Sequence, residues 1–236
     1  DRIGRRPVIL TGMLLTALTI MPAYRGMLTL GNPALESAQR EAPIVVVAPP
    51  TRFDPFADPK ELDEATKARD YLAKRGISYS NESPTSTVVD RPALIIRIAD
   101  RELEGFDREA LAAALAAAGY PERSAVKPLQ NVSDLDGTHW SLVGLILVMI
   151  VGAGLTCGPG AGWLAEAFPT RIRYTALSVP YHLTSAWFGG FMPLTAAWLV
   201  ARSGDVLAGL WYPVAVMAIA FVLALKFVPE TRGREW

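Results

Sequence analysis

Trp140–Ala165 reads WSLVGLILVMIVGAGLTCGPGAGWLA, a run of roughly 26 residues without a charged side chain. As a helix it would reach about 39 Å, beyond the ~30 Å hydrocarbon core of a bilayer. Ordinary globular helices seldom stay uncharged for so long. The run therefore predicts a membrane span. Three others resemble it. Val8–Tyr24 is uncharged and at the short end of spanning length. Thr175–Ala201 carries only His182 as a group that titrates near neutral pH, and Val206–Val228 carries only Lys226.

The 236 residues are 51% hydrophobic and 19% charged, with 23 basic and 23 acidic side chains. Such a composition excludes a disordered chain and a nucleic-acid binder with a broad basic surface. The zero net charge is a cancellation. Gly31–Asp136 is net −5 and the flanks are net +5. Unlike regions point to unlike environments. The expected organisation is a loop and first membrane helix over 1–30, a water-facing insert over 31–138, and three further membrane helices over 139–236.

Within the insert, Pro43–Ala48 reads as a buried strand. Asp58, Pro59 and Glu61 form a helix start, and Lys74, Arg75 and Gly76 its close. Ile77–Ser80 and Ala93–Ala99 are further strands. Asp107 caps a second, alanine-rich helix ending at Gly119. The order strand, helix, strand, strand, helix predicts a small two-layer α/β domain. The insert contains no nucleophile–base or metal set. Its only nearby histidine is His139, so neither an enzyme nor a cofactor is expected. Asn81-Glu82-Ser83 and Asn131-Val132-Ser133 match the glycosylation sequon, a pattern that also arises by chance. Cys157, the single cysteine, falls inside a membrane run and reads as a packing residue.

The arginines set the orientation. Arg2, Arg5 and Arg6 precede the first helix, Arg171 and Arg173 lie between the second and third, and Lys226, Arg232 and Arg234 end the chain. If every run spans, these fall on one side. Both termini are then cytoplasmic, and the insert and the Arg202–Asp205 turn face outward. The chain opens at Asp1 in a charged loop, which suggests a C-terminal fragment with its upstream part missing.

Asp1-Arg2-Ile3-Gly4-Arg5-Arg6 stands immediately before an apolar helix. A carboxylate there can meet the positive end of a neighbouring helix and pair with an arginine, and Gly4 permits a tight reversal. The loop resembles the G-x-x-x-D-R-x-G-R-R signature of the major facilitator superfamily. Glu166 and Arg173, with six residues between them, resemble the E-x-x-x-x-x-x-R element of sugar-porter-like carriers in that superfamily. The stretch from Phe168 to Tyr181 (FPTRIRYTALSVPY) is similar to the metabolite–proton symporter branch. Pro229-Glu230-Thr231-Arg232-Gly233 resembles the P-E-T-x-G ending after the last helix.

The resemblance implies an all-α polytopic membrane protein. Its four helices would be the last four of a twelve-helix fold, with the small α/β insert outside. It implies proton symport of a small metabolite, an organic acid or betaine-like solute, by alternating access in the cell inner membrane. The partners would be solute, protons, the bilayer and the missing N-terminal part. Asp1, Glu166, Arg173 and Glu230 would form a salt-bridge gate on the cytoplasmic face, with Arg2, Gly4, Arg5, Arg6, Arg171 and Arg232 in the same motifs. For Arg5 and Arg6 a purely topological role stays open. Inside the membrane, Tyr181 and His182 are the polar pair, either on the solute or proton path or reaching interfacial water. Gly158-Pro159-Gly160 breaks its helix, and Gly189, Gly190 and Pro193 do the same in the next. Either group serves as a hinge or as a place of close packing. The rival reading is a membrane-anchored extracytoplasmic α/β binding or sensing domain.

Overall fold

The computed structural model describes residues 3–49, 62–84, 94–122 and 135–230. Four of its helical stretches are long and apolar enough to cross a membrane: Arg5–Gly31, Gly137–Glu166, Arg173–Ser203 and Ala208–Phe227. The chain divides into two compact units. One takes in Asp1–Met27, Trp140–Thr195 and Leu210–Trp236, and the other Leu28–His139 and Ala196–Gly209.

In the first unit, α1 (Arg5–Gly31) and α5 (Gly137–Glu166) cross through small residues. A Cβ on Gly12 would stand 2.7 Å from the Thr156 backbone nitrogen, and one on Gly152 would stand 2.6 Å from Thr16 Oγ1. Gly12 faces Thr156 while Thr16 faces Gly152, so the helices run antiparallel. Each presents a small-xxx-small pair, which lets backbones approach where lipid tails supply no hydrophobic drive. Pro159 lies within α5, and the helix runs through it unbroken. The break expected at Gly158-Pro159-Gly160 is therefore absent. One missing N–H removes a single bond from a 30-residue helix, and such prolines are tolerated in apolar helices.

The third stretch is interrupted. α6 (Arg173–Thr184) passes into a π-helical segment, Ser185–Gly189, before α7 (Met192–Ser203). Gly189 ends this π segment, Gly190 follows it, and Pro193 lies in the first turn of α7. Pro193 cannot donate to the turn before it, and a π turn is one way to absorb that loss. The Tyr212 hydroxyl of α8 (Trp211–Phe227) donates to the Phe188 carbonyl at 2.9 Å, satisfying one acceptor within the π segment.

The second unit holds α2 (Pro33–Glu41), β1 (Ile44–Val47), α3 (Glu64–Lys74), β2 (Ser80–Glu82), β3 (Ile95–Ile98), β4 (Arg101–Glu104) and α4 (Arg108–Ala117). The sheet order is β2-β1-β3-β4. β1 and β2 are parallel, and the other two pairings are antiparallel. Strand alternation puts Ile44, Val46, Ile96 and Ile98 on one buried face, joined by Leu35, Leu72, Leu111 and Leu115 from the helices. Asp107 caps α4 as its sequence suggests, accepting from Glu109 N–H at 2.9 Å. Gly76 and Gly119 take positive φ (+72° and +82°) where α3 and α4 end.

Several boundaries differ from expectation. The helix start expected at Asp58, Pro59 and Glu61 lies outside the described residues, and the described part of α3 begins at Glu64. The strand expected over Ile77–Ser80 pairs only from Ser80, although Ile77 and Tyr79 still enter the core. α2 and β4 were not foreseen. Asn32 caps α2 and Pro33 opens it. β4, Arg-Glu-Leu-Glu, is a largely exposed edge with no apolar alternation to reveal it. Asn81 of the first sequon is bound up in hydrogen bonds through both amide atoms. The second sequon lies outside the described residues.

Candidate functional site

The ends of α1, α5 and α8 meet in the first unit. α1 starts at Arg5, where its first N–H groups have no partner within the helix. Glu230 supplies one from the far end of the chain. Its Oε1 accepts from Arg5 N–H and its Oε2 from Arg6 N–H, both at 3.1 Å. A carboxylate in this place also meets the positive end of the helix dipole. Gly4 makes the approach possible. Its φ is +88°, and a Cβ would lie 2.7 Å from Glu230 Oε2.

The bond pattern is reciprocal. Arg6 Nη2 donates to the Leu225 carbonyl at 2.7 Å, near the carboxyl end of α8. Trp163 Nε1 of α5 donates to the Pro229 carbonyl at 2.9 Å, which holds the Pro229-Glu230 segment. Arg5 Nη2 pairs with Glu166 Oε1 at 2.6 Å, with both side chains largely covered. The Arg5 guanidinium passes over Gly162, where any Cβ would collide with it. Gly4, Arg5, Val8, Gly158, Pro159 and Gly162 line a cavity of ≈ 370 Å³ beside the cluster.

Of the motif residues, Gly4, Arg5, Arg6, Glu166 and Glu230 come together here. Asp1, Arg2 and Arg232 lie outside the described residues. Arg173 donates through Nε to the Phe168 carbonyl at 3.3 Å within its own loop, and Arg171 is exposed. The ion pair of Arg5 with Glu166 links α1 to α5, joining residues about 160 positions apart through the crossing of the two helices. Glu230 acts on backbone N–H groups, a role that no charge pairing would reveal.

Tyr181 and His182 stack edge to face, with ring centroids 5.5 Å apart, and both are exposed in this chain. Gly158, Gly160, Gly189 and Gly190 face open space. Trp163, Gly12, Thr16, Gly152, Thr156 and Gly162 were not singled out from sequence. The four-residue spacing of Gly12 to Thr16 and of Gly152 to Thr156 was the available signal. Among the described residues no group of three histidine, cysteine, aspartate or glutamate side chains could hold a metal.

With this geometry in place, comparison with known proteins is informative. The chain is similar to bacterial transporters. It is 38% identical over 73 residues to a protein named putative proline/betaine transporter from Staphylococcus aureus (strain COL), covering 31% of this chain and 16% of that protein. It is 40% identical over 91 residues to the inner membrane metabolite transport protein YhjE of Escherichia coli (strain K12), covering 39% and 19%. It is 32% identical over 98 residues to the proline/betaine transporter of Salmonella typhimurium (strain LT2), covering 40% and 19%. The alignments thus span less than a fifth of the length of these relatives. No family model matches, and no solved structure does.

Proposed function

We propose that this chain is part of a major-facilitator-type carrier that moves a small polar metabolite across the cell inner membrane by alternating access, coupled to protons. The observation that carries the reading is the Glu230 clasp. A carboxylate after α8 caps α1, while Arg6 returns a bond to α8 and Arg5 holds α5. Helices that serve only as an anchor have no use for such a junction of three helix ends. A carrier that exposes its site to each side in turn needs contacts that close in one state and open in the other.

The strengths suit that use. A helix cap contributes about 1 kcal/mol, and a partly covered ion pair adds up to about 1 kcal/mol. A few kcal/mol is the range in which a bound solute can shift a two-state equilibrium. In this reading the termini are cytoplasmic and the α/β unit faces outward. Asp1, Arg2, Arg171, Arg173 and Arg232 complete the cytoplasmic gate. Tyr181 and His182 line the solute or proton path, and Gly189, Gly190 and Pro193 supply flexibility.

The names of the similar proteins suggest the solute class. Proline and betaine are zwitterions. The test is uptake of labelled proline and glycine betaine into cells or vesicles containing the intact protein, with and without an uncoupler. Accumulation that the uncoupler abolishes supports symport. Uptake that only equilibrates the solute and is insensitive to the uncoupler indicates a facilitator. Uptake equal to empty vesicles for both solutes and for an organic acid panel overturns the reading.

A further inference from the structure

The second unit contains one junction that the transport reading does not use. The segment leading into β2 grips the turn after α7. Tyr79 N–H donates to the Gly204 carbonyl at 2.9 Å. Asn81 Nδ2 reaches the carbonyls of Ala201 (3.3 Å) and Arg202 (3.2 Å), which α7 leaves without helical partners. Val206 N–H donates to Ser78 Oγ at 3.4 Å. Asn81 is itself aimed by α3, since Arg69 Nε donates to its Oδ1 at 2.9 Å.

The turn is shaped for this contact. Gly204 has φ +75°, and a Cβ there would run into the Tyr79 carbonyl oxygen. Its own N–H closes α7 on the Val200 carbonyl at 2.7 Å. Tyr79 is 5% exposed and belongs to the α/β core, so the grip is continuous with that core. β2 is an edge strand, and its Asn81 carries the contact to the turn. Leu28–Gly31 of α1 and Gly137–His139 of α5 fall in the same compact unit.

We propose that the α/β unit is permanently docked on the 201–206 turn and braces the chain where α7 ends and the path to α8 begins. It is a fixed clamp with this chain's own turn as its ligand. This inference stands independently of what the protein transports.

Amide hydrogen exchange of the intact chain in lipid nanodiscs tests it, read at single amides. The amides of Tyr79 and Val206 should exchange within about tenfold of Ile96 in the sheet centre. Gly204→Val should accelerate Tyr79 and Val206 by about a hundredfold or more, with Ile96 and Leu72 unchanged. If Gly204→Val also accelerates Ile96, the milder Asn81→Ala decides. It should accelerate Tyr79 about tenfold and leave Ile96 alone. Fast, loop-like exchange of Tyr79 and Val206 in the unmodified chain beside a protected Ile96 overturns the clamp. So does Tyr79 protection that neither substitution changes.

Discussion

Removing the Glu230 carboxylate should loosen the junction of α1 and α8 by a definite amount. In the structure it accepts two backbone N–H groups, one on each oxygen, at 3.1 Å. An N-terminal cap contributes about 1 kcal/mol. A negative charge at the positive end of the helix adds ~0.3–1 kcal/mol. Glu230→Ala should therefore cost about 2 kcal/mol, or roughly thirtyfold in the population of the opened junction. Glu230→Gln keeps one amide oxygen as acceptor and loses the charge, so about 1 kcal/mol and roughly fivefold is expected. Ala224, 4% exposed and adjacent to the Leu225 carbonyl that Arg6 holds, provides the reporter. With Cys157→Ala to remove the native thiol, Ala224→Cys can be labelled by a maleimide only when the junction opens. Labelling rates should rise in the order parent, Glu230→Gln, Glu230→Ala. If Glu230→Ala is labelled at the parent rate, the capping argument is wrong.

Other expectations are as direct. Gly12→Val drives a side chain into the Thr156 backbone, which cannot yield, and should lower the detergent-solubilised Tm by an amount equivalent to ~1–3 kcal/mol. Gly154→Ala, whose Cβ meets open space, is the control and should leave it unchanged. Leu72→Ala, at a fully buried position of the α/β core, should destabilise that unit by ~2–5 kcal/mol in denaturant titration. Burial pushes the Tyr79 and Tyr120 phenols up to about 12. The folded unit then keeps protons that the unfolded chain releases, so this stability is fully present below pH 10 and is lost as pH rises through about 12. Tyrosinate absorbance and unfolding followed together from pH 9 to 12.5 should show the two tyrosines titrating late and with loss of structure.

How far the sequence disclosed this arrangement depends on the range of the interaction. Four long apolar runs announced four long apolar helices, because burial in lipid imposes a composition on every turn. Asp107 and Gly119 marked the ends of α4, because caps are local chemistry. What stayed hidden depends on pairing at a distance. The grouping of Arg5 with Glu166, and of Glu230 with the start of α1, follows from helix crossings that no local pattern encodes. Pro159 misled in the opposite direction, since a strong local breaker was outweighed by the rest of α5. β4 shows the limit of hydrophobic periodicity. Its strand state comes from pairing with β3, where Arg97 meets Glu102 at 2.9 Å, and not from an apolar face.

The antiparallel crossing of α1 and α5 has a further consequence, for assembly. These helices form a hairpin, and the described residues between them build α2, α3, α4 and a four-stranded sheet in place of a short loop. A long flexible connection would raise the closure cost by about 0.6 kcal/mol for each doubling beyond a tight turn. A connection whose two ends lie close together avoids most of that cost. Gly26 lies against Leu145 near the connected end of the hairpin, so the gap to be bridged is small. A deletion joining the end of α1 to the start of α5 through a few glycines and serines should still bring Gly12 to Thr156.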